Sequence, residues 1–373
     1  MARKTGIRDV LPVANALGNT AATGTSSTVA RADHRHAMTA PGTVATLTGT
    51  STVGSLTTVA REDHAHAITG ATFNQSTSVP NDVIYASQYT PLSSSTNADL
   101  VLTPKGTGAL LATLPNNASG GGNKRGTNAV DFQQYRVSAG ATGVASGNYS
   151  IIIGGQDNTA SGLSSVVLGA GGGSPGTASV QNATCIGGTA SGTYSFCHNG
   201  VASQSYAVSL GRDAVAAIIG KYAYSSGVFT LQGDAQLGVY VLRAATSNTT
   251  SQVLTTNAAA AATTNTITLP NNRVYRFQAA VTLNSATVGT GSTVYGVLGG
   301  SWIITGLIRR GANAASTALI GTPTVTSEFI DSAISGATIA VTADTTLGCV
   351  SFTVTGLATT NMRWTAVVHV TEG

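Results

Sequence analysis

Apolar and polar residues alternate with a period of two over residues 144–213, inside short repeats that each begin with Ala-Ser. Consecutive repeats start 15, 18, 12 and 12 residues apart. Repeats of this length are too short for a pair of helices and match single coils of a β-solenoid. The spacing therefore predicts stacked short strands over residues 144–228, and the repeats begin at Ala145, Ala160, Ala178, Ala190 and Ala202.

Two apolar columns run through these repeats, at the sixth and eighth positions after each alanine. The sixth positions are Ile151, Val166, Thr184, Phe196 and Val208, and the eighth positions are Ile153, Leu168, Ile186, His198 and Leu210. Because residues i and i+2 of a strand point to one side, we expect the two columns to form a continuous core. His198 is then an interior or subunit-interface histidine, and Tyr149, Tyr194 and Tyr206 are expected to stack in a further column.

The cysteines Cys185 and Cys197 share the seventh position of consecutive repeats. Adjacent coils bring such residues to about 5 Å between Cα atoms, which is within disulfide range. The sequence shows no secretory signal, so we expect synthesis in a cytoplasm, where disulfides are disfavoured. Two free thiols in small core positions are therefore the favoured interpretation, and a disulfide is the alternative. With Cys349 the chain has three cysteines, which is not a disulfide framework.

The repeat pattern resembles the left-handed β-roll head repeats of trimeric autotransporter adhesins, which also occur in phage fibres. The resemblance implies three rolls packed together, with inter-chain faces burying what a single roll leaves exposed. A bacterial trimeric adhesin is thus one alternative, although such a protein is expected to carry a signal peptide and a membrane-anchor barrel, neither of which is visible in this sequence.

A second pattern of alternating Val, Thr and Ile follows the repeats. Loops with Gly, Asn or Ser separate the candidate strands, which lie at 238–244, 265–269, 273–283, 294–308, 338–342, 347–355 and 362–371. About seven such strands over residues 229–373 predict a β-sandwich or jelly roll. The fold class is therefore all-β: an elongated homotrimeric fibre with a β-roll or solenoid shaft and a C-terminal β-sandwich knob.

A duplicated phrase with two histidines lies near the N-terminus. Residues 24–38 read GTSSTVARADHRHAM and residues 54–68 read GSLTTVAREDHAHAI. The phrase resembles the His-x-His elements of phage tail fibres, some of which hold iron on the trimer axis. The resemblance implies that three chains surround an iron or zinc ion with imidazoles, and the candidate ligands are His34, His36, His64 and His66. A polar cross-chain network without metal is the alternative.

Composition supports a structural protein over an ordinary enzyme. Charged residues are 9% of the chain, whereas about 25% is usual, and glycine accounts for 45 of 373 residues. The net charge of +4 is thinly spread, so no basic cluster indicates nucleic-acid binding. No apolar run is long enough to span a membrane.

Catalytic signatures are weak in this sequence. Only 14 acidic residues occur, and Glu328 and Asp331 are the closest candidates for the two carboxylates of a glycosidase. Because no nucleophile or acid–base signature is recognisable, we expect no enzymatic activity. Glycan binding is the better prediction, since sugar sites combine an aromatic face with polar groups, and the candidate receptor-binding residues are Tyr295, Trp302, Arg309, Arg310 and Trp364.

These observations predict a trimeric phage tail fibre that attaches the virion to a host-surface glycan or protein through its C-terminal domain. The alternatives are a purely structural tail, collar, baseplate or head-fibre protein, and a polysaccharide-degrading tailspike. We expect it in the virion tail, with phage tail, baseplate or adaptor proteins as partners at its N-terminus, without nucleic acid or membrane insertion. The predicted divisions are a docking arm at 1–20, a His-x-His collar at 21–90, a spacer at 91–143, β-roll repeats at 144–228 and the knob at 229–373.

Overall fold

The computed structural model describes residues 101–137, 140–169 and 175–373. The predicted docking arm, the His-x-His collar and the four candidate metal-ligating histidines lie outside these residues. The described part is almost entirely β, apart from short 3-10 helices at Gly140–Thr142, Ala314–Ser316 and Ser332–Ile334. None of the helices in this part has the length and apolar character that a membrane span requires.

Short parallel strands stacked coil on coil form the first structural unit of the described chain. The strands are β1 (Leu110–Leu111), β2 (Val130–Asp131), β3 (Ile151–Ile153), β4 (Thr159–Ala160), β5 (Val166–Leu168), β6 (Thr177–Ala178), β7 (Thr184–Ala190), β8 (Phe196–Ala202), β9 (Val208–Leu210), β10 (Val215–Ala216) and β11 (Tyr222–Tyr224). One face is the ladder β1-β2-β3-β5-β7-β8-β9-β11, and the other contains β4, β6, the ends of β7 and β8, and β10. The predicted solenoid is confirmed.

Strand pairing in the solenoid follows the predicted coil lengths. Ile151 pairs with Val166, Val166 with Thr184, Thr184 with Phe196, and Phe196 with Val208. These steps reproduce the 15, 18, 12 and 12 residues between the repeated alanines. Each coil therefore begins at the same structural position.

The predicted core of the solenoid is wrong by one residue. The fully buried column is the seventh position of the repeats, Ile152, Val167, Cys185, Cys197 and Ser209, together with the repeated alanines. The sixth and eighth columns face outward, where Ile153 is 45% exposed and Leu168 is 37% exposed. His198 is exposed and not interior. The inner column therefore accepts Ile and Val as well as Cys and Ser, whereas the other Ile, Leu and Phe residues of the repeats lie in the outward columns.

The cysteine prediction is confirmed, since Cys185 and Cys197 are both buried free thiols in the inner column. The tyrosine column is confirmed in part. The rings of Tyr194 and Tyr206 stack with centroids 5.4 Å apart and planes 3° apart, whereas two coils separate Tyr149 from Tyr194. All three tyrosines have left-handed backbone, with φ of 58–60°.

The second structural unit is a β-sandwich formed by strands β12 (Gln236–Thr246), β13 (Gln252–Val253), β14 (Ile267–Thr268), β15 (Arg273–Ser285), β16 (Leu298–Arg310), β17 (Ala318–Leu319), β18 (Thr324–Ile330), β19 (Thr338–Asp344), β20 (Cys349–Thr355) and β21 (Met362–Glu372). The larger sheet is antiparallel with the order β18-β16-β15-β21-β12. In the smaller sheet β20 pairs with β13, β14 and β19. The two sheets enclose one apolar core, in which Phe277 and Phe352 meet edge to face at 5.7 Å.

The solenoid and the sandwich share backbone hydrogen bonding. β11, in the last coil, pairs in parallel with β9 on one side and antiparallel with β12 on the other. The parallel ladder therefore continues directly into the antiparallel sheet, and the C-terminal edge of the ladder is covered by β12.

Candidate functional site

An open cleft of about 670 Å³ lies where β18, the edge strand of the larger sheet, leaves its neighbour β16. Backbone and small side chains form much of its wall, while two carboxylates and one aromatic ring supply its chemistry. The lining residues are Thr282, Leu283, Gly299, Gly300, Ser301, Glu328, Phe329, Ile330 and Asp331.

A β-bulge positions the first carboxylate of the cleft. Ser301 pairs with Phe329, but the next residue, Trp302, pairs with Ser327. Glu328 is therefore an extra residue that has no partner in the ladder. Bulges redirect side chains and are frequent at sheet edges and beside active sites. Here the bulge brings Glu328 and Phe329, which are consecutive in sequence, to the same cleft.

The second carboxylate, Asp331, is fixed by two hydrogen bonds to Gly299. The Gly299 amide donates to Asp331 Oδ2 at 2.7 Å, and the Asp331 amide donates to the Gly299 carbonyl at 3.0 Å. This pairing holds the chain immediately after β18 against the start of β16. Asp331 is thus positioned by the backbone, while Glu328 lies on the exposed strand.

Phe329 is 76% exposed, which is unusual for an aromatic side chain on a regular sheet. It lies between the two acidic residues in sequence and lines the same cleft. An exposed ring beside hydrogen-bond acceptors suits a ligand with both an apolar face and many hydroxyl groups. The arrangement can therefore bind a sugar ring by stacking and by charge-assisted hydrogen bonds.

The structure does not bring the five predicted receptor-binding residues together. Trp302 is 5% exposed and Trp364 is 1% exposed, with ring centroids 5.5 Å apart in the sandwich core. Neither offers a free aromatic face, so their predicted role is corrected to core packing. Trp302 lies beneath the cleft, because a Cβ on Gly300 would approach its ring to 3.0 Å. Gly300 therefore keeps the cleft floor close to this tryptophan.

The other three predicted residues are dispersed along the sandwich. Tyr295 is half-buried, and the guanidinium of Arg363 lies 3.8 Å from its ring centroid. Arg309 is exposed at the end of β16 remote from the cleft. Arg310 donates to the Leu269 carbonyl at 2.6 Å and lines a separate cavity.

That separate cavity, of about 320 Å³, lies between the solenoid and the sandwich and is bordered by a buried carboxylate. Glu372 accepts hydrogen bonds from Lys221, Gln236, Tyr240 and Tyr275. Burial lowers the pKa of Lys221, and the Glu372 charge opposes this shift. Since every donor is already engaged on one acceptor, the cluster is best explained as a polar joint between the two units.

Metal ligation is not indicated among the residues that the structure describes, since no three of their His, Cys, Asp or Glu side chains cluster suitably. The predicted ligands His34, His36, His64 and His66 lie outside this part, so iron or zinc binding stays a prediction. Sequence reasoning considered Glu328 and Asp331 but missed Phe329, because the bulge that aligns them leaves no recognisable motif.

Comparison with known proteins gives two phage tailspikes among the solved structures. The tailspike gp49 of Acinetobacter baumannii bacteriophage Fri1, a capsular polysaccharide depolymerase, has 10% identity and a TM-score of 0.21, and the match covers 71% of this chain and 46% of the tailspike. The tailspike of Acinetobacter baumannii phage AM24 has 10% identity and a TM-score of 0.19, with 60% and 45% covered. This chain thus spans about half the length of either. Its sequence matches no protein-family model and no curated protein.

The prediction that the chain lacks enzymatic activity is wrong as an inference from the sequence. Its basis was the absence of a catalytic motif in the sequence. Glycoside hydrolysis requires only two carboxylates that are close in space, and the fold supplies two that line one cleft, so the missing motif excludes nothing.

Proposed function

We propose that this chain is a phage tail protein that binds host-surface polysaccharide in the cleft formed by β16 and β18. The observation that carries the proposal is the bulge at Glu328, which places a carboxylate beside the exposed ring of Phe329. Asp331 supplies a second acceptor, fixed by Gly299. Together they provide the aromatic face and the hydrogen-bond acceptors that a saccharide requires.

Self-association into a homotrimer is part of the proposal and is supported by the outer face of the solenoid. Its outward columns are mostly apolar, apart from Thr184 and His198, and Ile153, Leu168, Tyr222 and Tyr224 are between 36% and 49% exposed. A largely apolar face of this kind is uncommon on a monomer and favours contact with further copies of the same chain. Three clefts per trimer would increase avidity without new contacts.

The proposal also keeps two predictions about the N-terminal part of the trimer. Residues 1–20 dock the fibre on the virion, and the His-x-His repeats hold the three chains together through an iron or zinc clamp. Sedimentation equilibrium with metal analysis on the full chain tests both the assembly and the clamp. We expect a mass near three times 37.2 kDa. A monomer would contradict the assembly, and a metal-free trimer would contradict the clamp.

Polysaccharide cleavage is the second candidate function, favoured by the two carboxylates in the same cleft. Glycosidases use one carboxyl group as the general acid and the other as base or nucleophile. In this interpretation Glu328 and Asp331 act on the glycosidic bond of the bound chain, and Phe329 positions the sugar.

A glycan array of bacterial capsular and lipopolysaccharide glycans tests binding with the full chain. We expect Phe329→Ala to reduce binding at least tenfold. Phe229→Ala is the matched control, because Phe229 is 85% exposed but lines a different cavity, beside Tyr224 and Gly373. Equal binding by wild type and Phe329→Ala would contradict the proposed cleft.

Release of reducing ends from a glycan that binds tests cleavage. We expect Glu328→Gln and Asp331→Asn to abolish release while retaining most binding, since both amides preserve shape and can still accept hydrogen bonds. Binding by the wild type without release of reducing ends would contradict the cleavage candidate and leave the binding proposal in place.

A further inference from the structure

Two cysteine thiols are in direct contact inside the solenoid. Cys185 on β7 and Cys197 on β8 are directly paired in the parallel ladder, and both are 0% exposed. Their Sγ atoms are 2.6 Å apart, and the bond of a disulfide is about 2.05 Å long. Little movement separates the two thiols from a covalent bond.

The register around the pair is regular on both sides. Thr184 pairs with Phe196 before the cysteines, and Ile186 pairs with His198 after them. Adjacent strands in register are about 4.8 Å apart, which lies within the Cα range of disulfides. Closure of the bond therefore requires no shift of either strand along the other.

The cysteines also occupy the place where the apolar core becomes thin. The inner column changes from Ile152 and Val167 through the two cysteines to Ser209, so its side chains shrink along the solenoid. In a solenoid each coil contacts only its neighbours. The contact between these two 12-residue coils is therefore supported by less apolar burial than the contacts before it, and a covalent link would add most there.

We propose that Cys185 and Cys197 are a covalent cross-link site that joins two consecutive coils once the protein meets an oxidising environment. The oxidant is a low-molecular-weight disulfide. The Cys185 thiolate attacks it, breaking its S–S bond and releasing one small thiol. The Cys197 thiolate then attacks Cys185 Sγ and releases the second. The two protein thiols lose two protons and two electrons, and the small disulfide is reduced to two thiols.

Either thiol can make the first attack, because the two are buried in direct contact with each other. The hydrogen bond from Cys197 lowers the pKa of Cys185, which favours Cys185 as the thiolate. The thiolate is the attacking form. Since both sulfurs are buried, the first step takes place during local opening of the coil, and reclosure brings Cys197 to the mixed disulfide.

Thiol counting on the full chain tests this proposal. The reduced protein is incubated with oxidised glutathione, unfolded without reductant, alkylated with iodoacetamide and weighed intact. We expect one alkylated cysteine per chain, Cys349, which lies in the sandwich away from the pair, and three in a sample kept reduced. A proteolytic digest should contain the Cys185–Cys197 linked peptide.

Variants separate the cross-link from a general effect of oxidation. Cys185→Ser and Cys197→Ser are suited to the interior, because Ser209 occupies the same column. We expect oxidation to raise the calorimetric unfolding midpoint by several degrees in the wild type and in Cys349→Ser, but in neither of the other variants. Three alkylated cysteines after oxidation, a persistent glutathione adduct, or an unchanged wild-type midpoint would overturn the proposal, and none of these results bears on glycan binding.

Discussion

Lys221 and Glu372 form a buried ion pair across 151 residues of sequence, with Nζ 2.7 Å from Oε1. Lys221 immediately precedes β11, in the last coil of the solenoid, and Glu372 ends β21 in the sandwich. Neither charge is solvated, so each depends on the other and on the surrounding donors. The pair is thus a specific connection between two units with separate apolar cores.

Removal of either charge should destabilise the protein strongly. We expect Lys221→Met and Glu372→Gln each to lower the free energy of unfolding by about 3–5 kcal/mol, because one partner is left buried and uncompensated. The double variant should lose much less than the two single losses combined, as urea denaturation in a double-mutant cycle will show. Arg212→Ala is the control, since its pair with Asp213 is exposed. Additive losses would contradict the coupling.

The tyrosines around Glu372 should make stability fall at alkaline pH. Burial, and then the Glu372 charge, raise the pKa of Tyr240 and Tyr275 well above the usual value of about 10. Above pH ~10 the unfolded chain therefore releases protons that the folded chain keeps, so the free energy of unfolding falls as pH rises. Tyrosinate absorbance of the folded protein should lack the contribution of Tyr240 and Tyr275 until unfolding.

The control for this titration is the variant Tyr275→Phe. It should leave the absorbance change of the folded protein unaltered and reduce the additional change on unfolding by one tyrosine. Titration of all tyrosines in a single step while the chain is still folded would contradict the buried positions.

Because consecutive coils lie close together, Gly192 should not tolerate a larger side chain without a loss of stability. A Cβ on Gly192 would lie 1.9 Å from the Gln204 carbonyl oxygen in the next coil. Backbone cannot move aside as a side chain can, so we expect Gly192→Ala to destabilise the solenoid by at least about 1–3 kcal/mol. Gly227→Ala is the matched control, because nothing lies within 4 Å of its added Cβ. Equal unfolding midpoints for the two variants would refute the close contact.

Deletion of Glu328 should remove the bulge and glycan binding while leaving the fold intact. The pairs on both sides, Ser301 with Phe329 and Trp302 with Ser327, exist without the extra residue. We therefore expect the deletion variant to keep its unfolding midpoint within a few degrees and to lose binding to any glycan that the wild type retains on an array. Full binding by the deletion variant would show that the bulge does not form the site.

The coil lengths of the solenoid were predictable because Ala145 and its equivalents repeat at fixed structural positions. The inward face was not, because hydrophobicity alone favoured Ile151 and Ile153 over the column that contains Cys185 and Ser209. In the sandwich large apolar residues such as Phe277 and Trp364 fill the core, and β12, β15 and β21 lie where the sequence predicted strands. In the solenoid the inward column contains Ile, Val, Cys and Ser alike, so hydrophobicity does not identify it.

The site was less predictable than the fold for a related reason. Trp302 and Trp364 were predicted to bind a receptor because they are aromatic, but these large apolar side chains are buried in the core. The position of Glu328 in the cleft depends on a bulge of one residue between β16 and β18. No sequence pattern in β18 predicts this bulge. A cleft built from a bulge and two glycines becomes visible only when strand pairing is known.

The pairing of β11 with β12 has a mechanical consequence. Tyr222, Ala223 and Tyr224 in the last coil pair with β9 of the preceding coil on one side and with β12 of the sandwich on the other. A flexible linker between the solenoid and the sandwich would let the cleft reorient, and extension of the linker would absorb force applied to the cleft. If the cleft binds a surface as proposed, tension on it loads the backbone hydrogen bonds of β11 and the Lys221–Glu372 ion pair directly, and no flexible segment lies between them.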